Sequence, residues 1–279
     1  MKQERAGDKV KRFLVITVLC MFVFSGCSVV KISPIEKGKE IIEKKLSEKD
    51  VIPVQETAQE PKAEKPEVKP PLFGKVIVVD AGHGKNSFNK QEPIAPGSST
   101  TKIAFADGTR GKNQTEEQLN LKVSKKLQEL LLNLGAEVHM TRTEHESDMT
   151  NVDRAVFAND LNADLSVKIH ADGNNSPSAK GISMLVPSNN YVPAAVYEES
   201  AVAGAIILDE VVAATGGINR GVVKRNDLTG FNWSTVPIIL LEMGFMTNPE
   251  EDALLETEAY QQKVAQGLAN GIVKYFESK

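Results

Sequence analysis

The chain has 279 residues, 41% of them hydrophobic, which is enough for one globular domain with its own core. Its 33 basic and 37 acidic residues leave a net charge of −4, and no basic stripe with interleaved aromatic residues is present, so no nucleic-acid partner is expected. Both cysteines, Cys20 and Cys27, precede residue 30, which excludes disulfides, thiol catalysis and cysteine zinc sites from the rest of the chain.

Residues 1–27 have the features of an export signal. A charged start is followed by an apolar run from Phe13 to Phe24, which is shorter than the roughly 20 residues that span a membrane. Residues 24–27, Phe-Ser-Gly-Cys, resemble a bacterial lipobox. We therefore expect an exported lipoprotein, anchored to the membrane through Cys27 and facing the cell wall. An uncleaved N-terminal anchor and plain secretion are the alternatives.

Residues 28–72 are predicted to form a charged and proline-rich tether. The stretch 51–71 reads "VIPVQETAQEPKAEKPEVKPP" and offers almost nothing that could be buried, a composition typical of extended linkers. The globular domain is expected to cover residues 73–279 and to be a monomer.

Apolar periodicity predicts alternating strands and helices in this domain. The helix at 115–135 has a capping signal at its start, Thr115 with Gln118 three residues on, and Gly135 at its end. A glycine-rich turn is expected after residue 215. The predicted strands are 75–82, 136–142, 164–172, 181–187 and 236–245, and the other predicted helices are near 151–163, 196–215 and 257–276.

This alternation predicts an α/β fold, a single domain with a twisted, largely parallel or mixed sheet of five to six strands flanked by helices on both faces. In such sheets ligands bind beyond the carboxyl ends of the strands. Three apolar strands end in side chains that can bind a metal or transfer a proton. These are residues 80–83 with His83 after the first strand, His170 after the second, and Glu242 after the third. Each alone is weak evidence for function, because a histidine at a strand end is usually a structural residue.

Taken together, these residues favour a metal-dependent hydrolase. Catalytic zinc commonly takes two histidines and one carboxylate and keeps a position for water, while a separate carboxylate moves the proton. His83, His170, a carboxylate in the first turn of the 115–135 helix, and Glu242 supply that set. The glycines on either side of His83 would let the ring approach a metal held close to the backbone.

Five ordered stretches extend this pattern over residues 75–279, and with them the chain resembles the zinc-dependent N-acetylmuramoyl-L-alanine amidases of the Amidase_3 family. The stretches are "VIVVDAGHG", "TEEQLNLKVSKKLQELLLNLGAEVHMTR", "DRAVFANDLNADLSVKIHAD", "KGISMLV" and "VPIILLEMGFMTNPEEDALLE". The resemblance implies that His83, Glu116 and His170 bind zinc (Zn2+) and that Glu242 is catalytic. Glu117 is the neighbouring candidate for the glutamate ligand.

By the same resemblance, the expected reaction is hydrolysis of the amide between N-acetylmuramic acid and the L-alanine of the peptidoglycan stem peptide. The alternatives are an inactive peptidoglycan-binding lipoprotein and a zinc peptidase acting on exported or wall peptides. A membrane anchor with a long tether would let the enzyme reach the wall.

Three features depart from the family pattern. The segment between His83 and Glu116 is long and polar, and it is expected to shape the substrate groove or to fold over it. Lys168 replaces a small residue near His170, where it could weaken metal binding or neutralise a carboxylate. Residues 231–233, Phe-Asn-Trp, could stack on substrate or pack in the core.

Overall fold

The fold is built on a six-stranded sheet with helices on both faces. The computed structural model describes residues 69–85 and 89–279. The predicted export signal and nearly all of the predicted tether therefore lie outside the described residues.

In chain order the elements are β1 (Val76–Ala81), β2 (Gln91–Pro93), β3 (Thr101–Ile103), α1 (Glu116–Asn133), β4 (Glu137–Met140), α2 (Asn151–Asp160), β5 (Leu165–Asp172), β6 (Ile182–Pro187), α3 (Ala194–Thr215), β7 (Asn219–Arg225), α4 (Thr229–Asn232), β8 (Ile238–Phe245), α5 (Pro249–Leu255) and α6 (Glu258–Glu277).

The strand order in the large sheet is β4-β1-β5-β8-β6-β7. Strands β4, β1, β5 and β8 run parallel, β6 is antiparallel to β8, and β7 is parallel to β6. The sheet is therefore mixed and six-stranded, which confirms the predicted α/β fold. Three of its four inner strands, β1, β5 and β8, are the ones predicted to carry chemistry at their ends.

Alternate residues of β1 show how the two faces of the sheet are covered. Ile77 and Val79 belong to the main core cluster, which also holds buried residues of α1, α3 and α6. Val78 points to the opposite face and packs in a cluster with Ala158 of α2. A strand buried on both faces requires apolar residues at every position, which is the reason for the continuous run "VIVV".

Helix α1 begins and ends where the sequence predicts. The backbone N–H of Thr115 donates to Oε1 of Gln118 at 3.2 Å, which supports the predicted start. The buried face of the helix is formed by Leu119, Val123, Leu127 and Leu131. Gly135 follows with a φ of 88°, the left-handed conformation that favours glycine.

Several elements were not predicted. The glycine-rich turn expected after residue 215 continues into β7, an edge strand whose residues are mostly exposed. Its sequence "NRGVVKR" lacks the apolar alternation that predicts a strand, because neither face is deeply buried. The three-residue strands β2 and β3 form a separate hairpin, and the helices α4 and α5 are short. Elements of this length carry no periodic signal.

The packed structure begins slightly before the predicted domain boundary. Leu72, the last residue of the predicted tether, is fully buried, and its N–H donates to the carbonyl of Leu134. Within the described part of the chain, every helix is too short or too polar to cross a bilayer.

Candidate functional site

The carboxyl ends of β1, β5 and β8 bring the predicted residues together. His170 of β5 and Glu242 of β8 are direct register partners, so their side chains stand side by side on one face. One pleat earlier on that face, Asp80 of β1 is the register partner of Lys168. The site therefore lies on a polar row at the end of otherwise apolar strands.

The turn after β1 places His83 in an unusual conformation. His83 has a φ of 58°, in the left-handed region that non-glycine residues seldom adopt. At residue 82 a Cβ atom would lie 2.3 Å from Nε2 of His170, so only glycine leaves room for that ring. Gly82 thus allows the two imidazoles to approach, with centroids 4.8 Å apart in an edge-on arrangement.

Two arginines hold this turn through its carbonyl groups. Arg142 donates to the carbonyls of Ala81 and Gly82 at 2.8 and 2.9 Å. Arg154 donates to the carbonyls of Ala81 and His83 at 2.9 and 2.6 Å. Arg154 also forms an ion pair with Asp80, whereas the hydrogen bonds of Arg142 go to backbone carbonyls.

A buried cluster of charges lies beneath the turn. The carboxylate of Asp80, only 2% exposed, accepts hydrogen bonds from Arg154 at 2.5 Å, from Thr141 at 2.7 Å and from Lys168. Burial by itself would raise the pKa of Asp80, but the charges of Lys168 and Arg154 hold it far below its usual range. Of the two roles predicted for Lys168, the structure therefore shows the neutralisation of a carboxylate.

Glu116, the first residue of α1, is held from several sides. Its Oε2 accepts from the backbone N–H of Thr109 at 2.8 Å. Its Oε1 accepts from Asn120 Nδ2 and from the N–H of Ala171, both at 3.2 Å. A Cβ atom at residue 108 would lie 2.6 Å from Oε2, so Gly108 is needed for this close approach.

Both imidazoles converge on the same oxygen of Glu116. Oε1 lies 3.1 Å from Nε2 of His83 and 3.0 Å from Nδ1 of His170, and one donor atom from each of the three residues lies within 4.8 Å of the others. Tetrahedral zinc with bonds of about 2.0–2.1 Å separates its ligands by roughly 3.3 Å. The donor spacing and the donor types therefore fit a zinc ion.

Hydrogen bonding to Glu116 affects the protonation states of both rings. Nδ1 of His83 lies 2.8 Å from the carbonyl of Ala106, so Nε2 is the ring atom that faces Glu116. Burial would lower the pKa of His83, but the hydrogen bond and the charge of Glu116 raise it above its ordinary value. The hydrogen bond to Glu116 would raise the pKa of His170, but burial outweighs it and lowers this pKa to about 4, so the ring is neutral at pH 7. Burial would raise the pKa of Glu116, but the hydrogen bonds from His170 and His83 hold it well below its usual range. Metals bind neutral imidazoles and ionised carboxylates, so a metal ion held here would displace the proton that His83 shares with Glu116.

Glu242 has a different environment. Within the described chain its Oε2 atom is buried and has no hydrogen-bond partner. Burial, with the nearby charges of Glu116 and Asp172, raises the pKa of Glu242 well above its ordinary value. A carboxylate that binds a proton this readily is suited to proton transfer.

The neighbouring candidate, Glu117, faces away from this cluster. Its Oε1 lies 3.7 Å from Nε2 of His145. The remaining histidine, His139, contacts Glu137 on β4. Neither His145 nor His139 belongs to the His83, Glu116 and His170 cluster.

The long segment before α1 forms a wall of the site. Glu92 of β2 is 3% exposed and accepts hydrogen bonds from Asn151 Nδ2 and the N–H of Val152 on α2. The indole N–H of Trp233 donates to the carbonyl of Pro93, and Phe231 is fully buried. Trp233 and Phe231 therefore support the wall and the core, and the predicted groove-shaping role of the segment agrees with its position.

The cleft over the site extends in two directions from His83, His170 and Glu242. One part, which we call the polar arm, has a volume of about 660 Å³, and the other, the basic arm, about 320 Å³. The polar arm is further lined by Asp107, Thr109, Asp172, Asn174, Asn175 and Thr247. The basic arm is further lined by Lys102, Ile103, Arg225, Leu228, Thr229 and Leu240.

Sequence reasoning missed the residues that orient Glu116. Asn120 is fully buried and its Nδ2 contacts both Glu116 and the carbonyl of Gly82. Its position four residues after Glu116 on a helix was a usable signal, because such pairs share one face. Thr109 and Gly108 had no signal, since they lie in a loop whose path depends on the rest of the fold.

Two imidazoles and a carboxylate at the carboxyl edge of a parallel sheet, beside a second and buried carboxylate, are typical of metallohydrolases as a class. The family follows from comparison with known proteins. The chain matches the Amidase_3 model, N-acetylmuramoyl-L-alanine amidase, over residues 77–274, and it belongs to that family. It is accordingly a peptidoglycan amidase, a hydrolase of the cell wall.

Individual relatives agree with this assignment. The chain is 27% identical over 248 residues to a probable cell wall amidase, LytH, of Staphylococcus aureus, covering 89% of this chain and 74% of the relative. The crystal structure of the N-acetylmuramyl-L-alanine amidase Ami1 from Mycobacterium smegmatis superposes with a TM-score of 0.69 at 27% identity, covering 75% of this chain and 99% of Ami1. An N-acetylmuramoyl-L-alanine amidase from Clostridium difficile gives 0.61 at 28% identity, with coverage of 74% and 98%.

Replacing Asp80 by Asn should destabilise the protein by about 3 to 5 kcal/mol, because two buried cations lose their counter-charge. Chemical denaturation at pH 7 measures this difference. Asp148→Asn is the control, since Asp148 is exposed.

The stability difference should also depend on pH. Because the folded-state pKa of Asp80 lies below its unfolded value, the stabilisation is complete well above pH 4 and is lost as the pH falls. The gap between wild type and Asp80→Asn should therefore narrow below about pH 4. A gap that stays constant down to pH 2 would contradict the assigned role of this carboxylate.

Proposed function

We propose that the chain is a zinc-dependent N-acetylmuramoyl-L-alanine amidase that hydrolyses the amide between N-acetylmuramic acid and L-alanine of the stem peptide. One observation carries this proposal: three zinc-type donors converge within 4.8 Å, beside a buried Glu242 whose Oε2 has no hydrogen-bond partner among the described residues. Family membership supplies the substrate class.

His83, Glu116 and His170 would hold the zinc ion. When bound, zinc supplies a Lewis acid that polarises the scissile carbonyl and increases the acidity of the attacking water. The protein side chains provide the orientation. Asn120 and Thr109 fix Glu116, and the Ala106 carbonyl fixes the ring of His83.

Glu242 is proposed as the residue that moves the proton. It stands next to His170 across the β5–β8 pair, and burial raises its pKa. In hydrolysis it would take the proton of the attacking water and transfer it to the departing amine of L-alanine, so that the amine leaves as a neutral group. The amide C–N bond breaks, and the products are a free lactyl carboxylate and a stem peptide.

We also propose that the protein is an exported lipoprotein whose residues 28–72 connect the anchor to the domain. The proposal rests on the lipobox-like residues 24–27 and on the composition of the tether. The monomeric state and the absence of a nucleic-acid partner stay predictions.

The zinc proposal predicts different outcomes for two adjacent glutamates. Glu116→Gln should weaken zinc affinity by at least about tenfold, because an ionised ligand is lost, whereas Glu117→Gln should change it little. Competition with a chromophoric chelator measures the affinity, with no dependence on activity. Equal affinities for wild type and Glu116→Gln would contradict the ligand role.

The role of Glu242 predicts a loss of activity without a loss of metal. Glu242→Gln should lower kcat by about 10²- to 10⁴-fold on purified peptidoglycan while zinc content stays that of wild type. Mass spectrometry of the products also separates the alternatives. Stem peptides beginning with L-alanine indicate the amidase, shortened peptides a zinc peptidase, and wall binding without any release an inactive binding protein.

The lipoprotein proposal predicts that Cys27→Ser abolishes incorporation of a labelled fatty acid and releases the protein from the membrane fraction. Cys20→Ser, which changes the other cysteine, should keep both the label and the membrane location. An unlabelled wild-type protein that stays in the membrane would instead indicate an uncleaved N-terminal anchor.

A further inference from the structure

The two arms of the cleft differ in charge. Among the described residues, the charged side chains that line the polar arm, apart from the histidines, are acidic: Asp107, Glu116, Asp172 and Glu242. The described lining of the basic arm has three cations, Lys102, Lys168 and Arg225, and one acidic residue, Glu242. Since both arms start from His83, His170 and Glu242, a bond held at that centre would have opposite electrostatic environments on its two sides.

The cations of the basic arm are not equivalent. Lys168 is buried and paired with Asp80, so its charge is neutralised within the protein. Lys102 of β3 donates to the backbone carbonyl of Asp227 at 2.8 Å, a contact that leaves its charge in place. Two acidic residues, Glu92 and Asp227, lie close enough to Lys102 to interact electrostatically with its charge.

Arg225, at the end of β7, is partly exposed, and part of its guanidinium is hydrogen-bonded to Asp227. Its Nε and Nη2 atoms donate to the two carboxylate oxygens of Asp227 at 2.7 Å each, and its side chain is 37% exposed. Among the described residues Nη1 of Arg225 has no hydrogen-bond acceptor. Asp227 thus contacts both cations, through its side chain and through its carbonyl, and positions them on one rim.

The floor between this rim and the catalytic centre is apolar. Leu240 of β8 and Leu185 of β6 lie side by side in the sheet and line the arm, with Ile103 of the hairpin and Leu228 before α4. Asp227 pairs with Arg225, but Nη1 of Arg225 and the remaining N–H groups of Lys102 stay able to donate. An apolar floor that ends at these cationic donors fits a short ligand with a small apolar residue near the reacting bond and an anionic group beyond it.

The substrate has this form on one side only. The glycan is uncharged where its lactyl group is amidated, whereas the stem peptide begins with L-alanine and continues with a glutamyl residue whose α-carboxyl is free or amidated.

We propose that the basic arm receives the stem peptide and that Arg225 and Lys102 bind the free α-carboxylate of its second residue. This inference rests on the proposed amidase function. Two extended residues span about 7 Å, so the carboxylate lies one short step beyond L-alanine.

The glycan then lies in the polar arm. Amide and hydroxyl side chains of Asn174, Asn175, Thr109 and Thr247 line it, and such groups are suited to hydrogen bonds with sugar hydroxyls. The same enzyme is expected to prefer wall stems with a free second carboxylate over amidated stems.

The test compares two soluble substrates for the full-length protein, N-acetylmuramoyl-L-alanyl-D-glutamate and the same compound with a D-glutamate α-carboxamide. Wild type should cleave the carboxylate form with a kcat/KM at least about tenfold higher, and mainly through a lower KM. Arg225→Gln and Lys102→Met should each bring this ratio towards one.

Lys224→Met is the matched control, because Lys224 is the neighbouring cation on β7 and contacts Tyr197 outside the cleft. It should keep the wild-type ratio. Thermal unfolding checks that each variant is folded, and Lys102→Met tests the proposal independently of the Arg225–Asp227 pair.

Each result is decisive. A wild-type ratio near or below one, or a preference that survives both Arg225→Gln and Lys102→Met, would overturn the carboxylate site while leaving the amidase function intact. If wild type with zinc cleaves neither compound and also releases nothing from peptidoglycan, the proposed function fails and this inference fails with it.

Discussion

The buried carboxylate of Asp80 is the interaction on which the site depends. It lies at the end of a fully apolar strand, and burying an unpaired charge there would be costly. Lys168 from β5 and Arg154 from α2 supply the opposite charge, so three separate elements are tied at one point. Arg154 also bonds the carbonyls of Ala81 and His83, which links this ion cluster directly to the turn above it.

That turn explains why a histidine stands between two glycines. With its carbonyls held by Arg154 and Arg142, the backbone keeps His83 at a φ of 58°. Gly82 leaves room for the ring of His170, whose strand lies beside β1. The strain at His83 is tolerated because the surrounding hydrogen bonds determine the conformation from several sides.

The segment between His83 and Glu116 has two roles that follow from its contacts. Its end brings Gly108 and Thr109 against Glu116 and orients the carboxylate. Its hairpin, fixed to α2 through Glu92, brings Lys102 to the same rim as Arg225. The same segment therefore connects the geometry of the donor cluster with the charge of the substrate cleft.

The sequence by itself determined the α/β class, the long helices and the strand ends that carry His83, His170 and Glu242, because apolar periodicity and its abrupt end are local properties. It also favoured Glu116 through a family resemblance, and it left the role of Lys168 open. Only the tertiary structure decided that Lys168 pairs with Asp80, that Asn120 and Thr109 orient Glu116, and that β7 is a strand. The side-chain pairings depend on contacts between residues that the fold brings together. The strand β7 could not be predicted because short exposed segments carry no periodic signal.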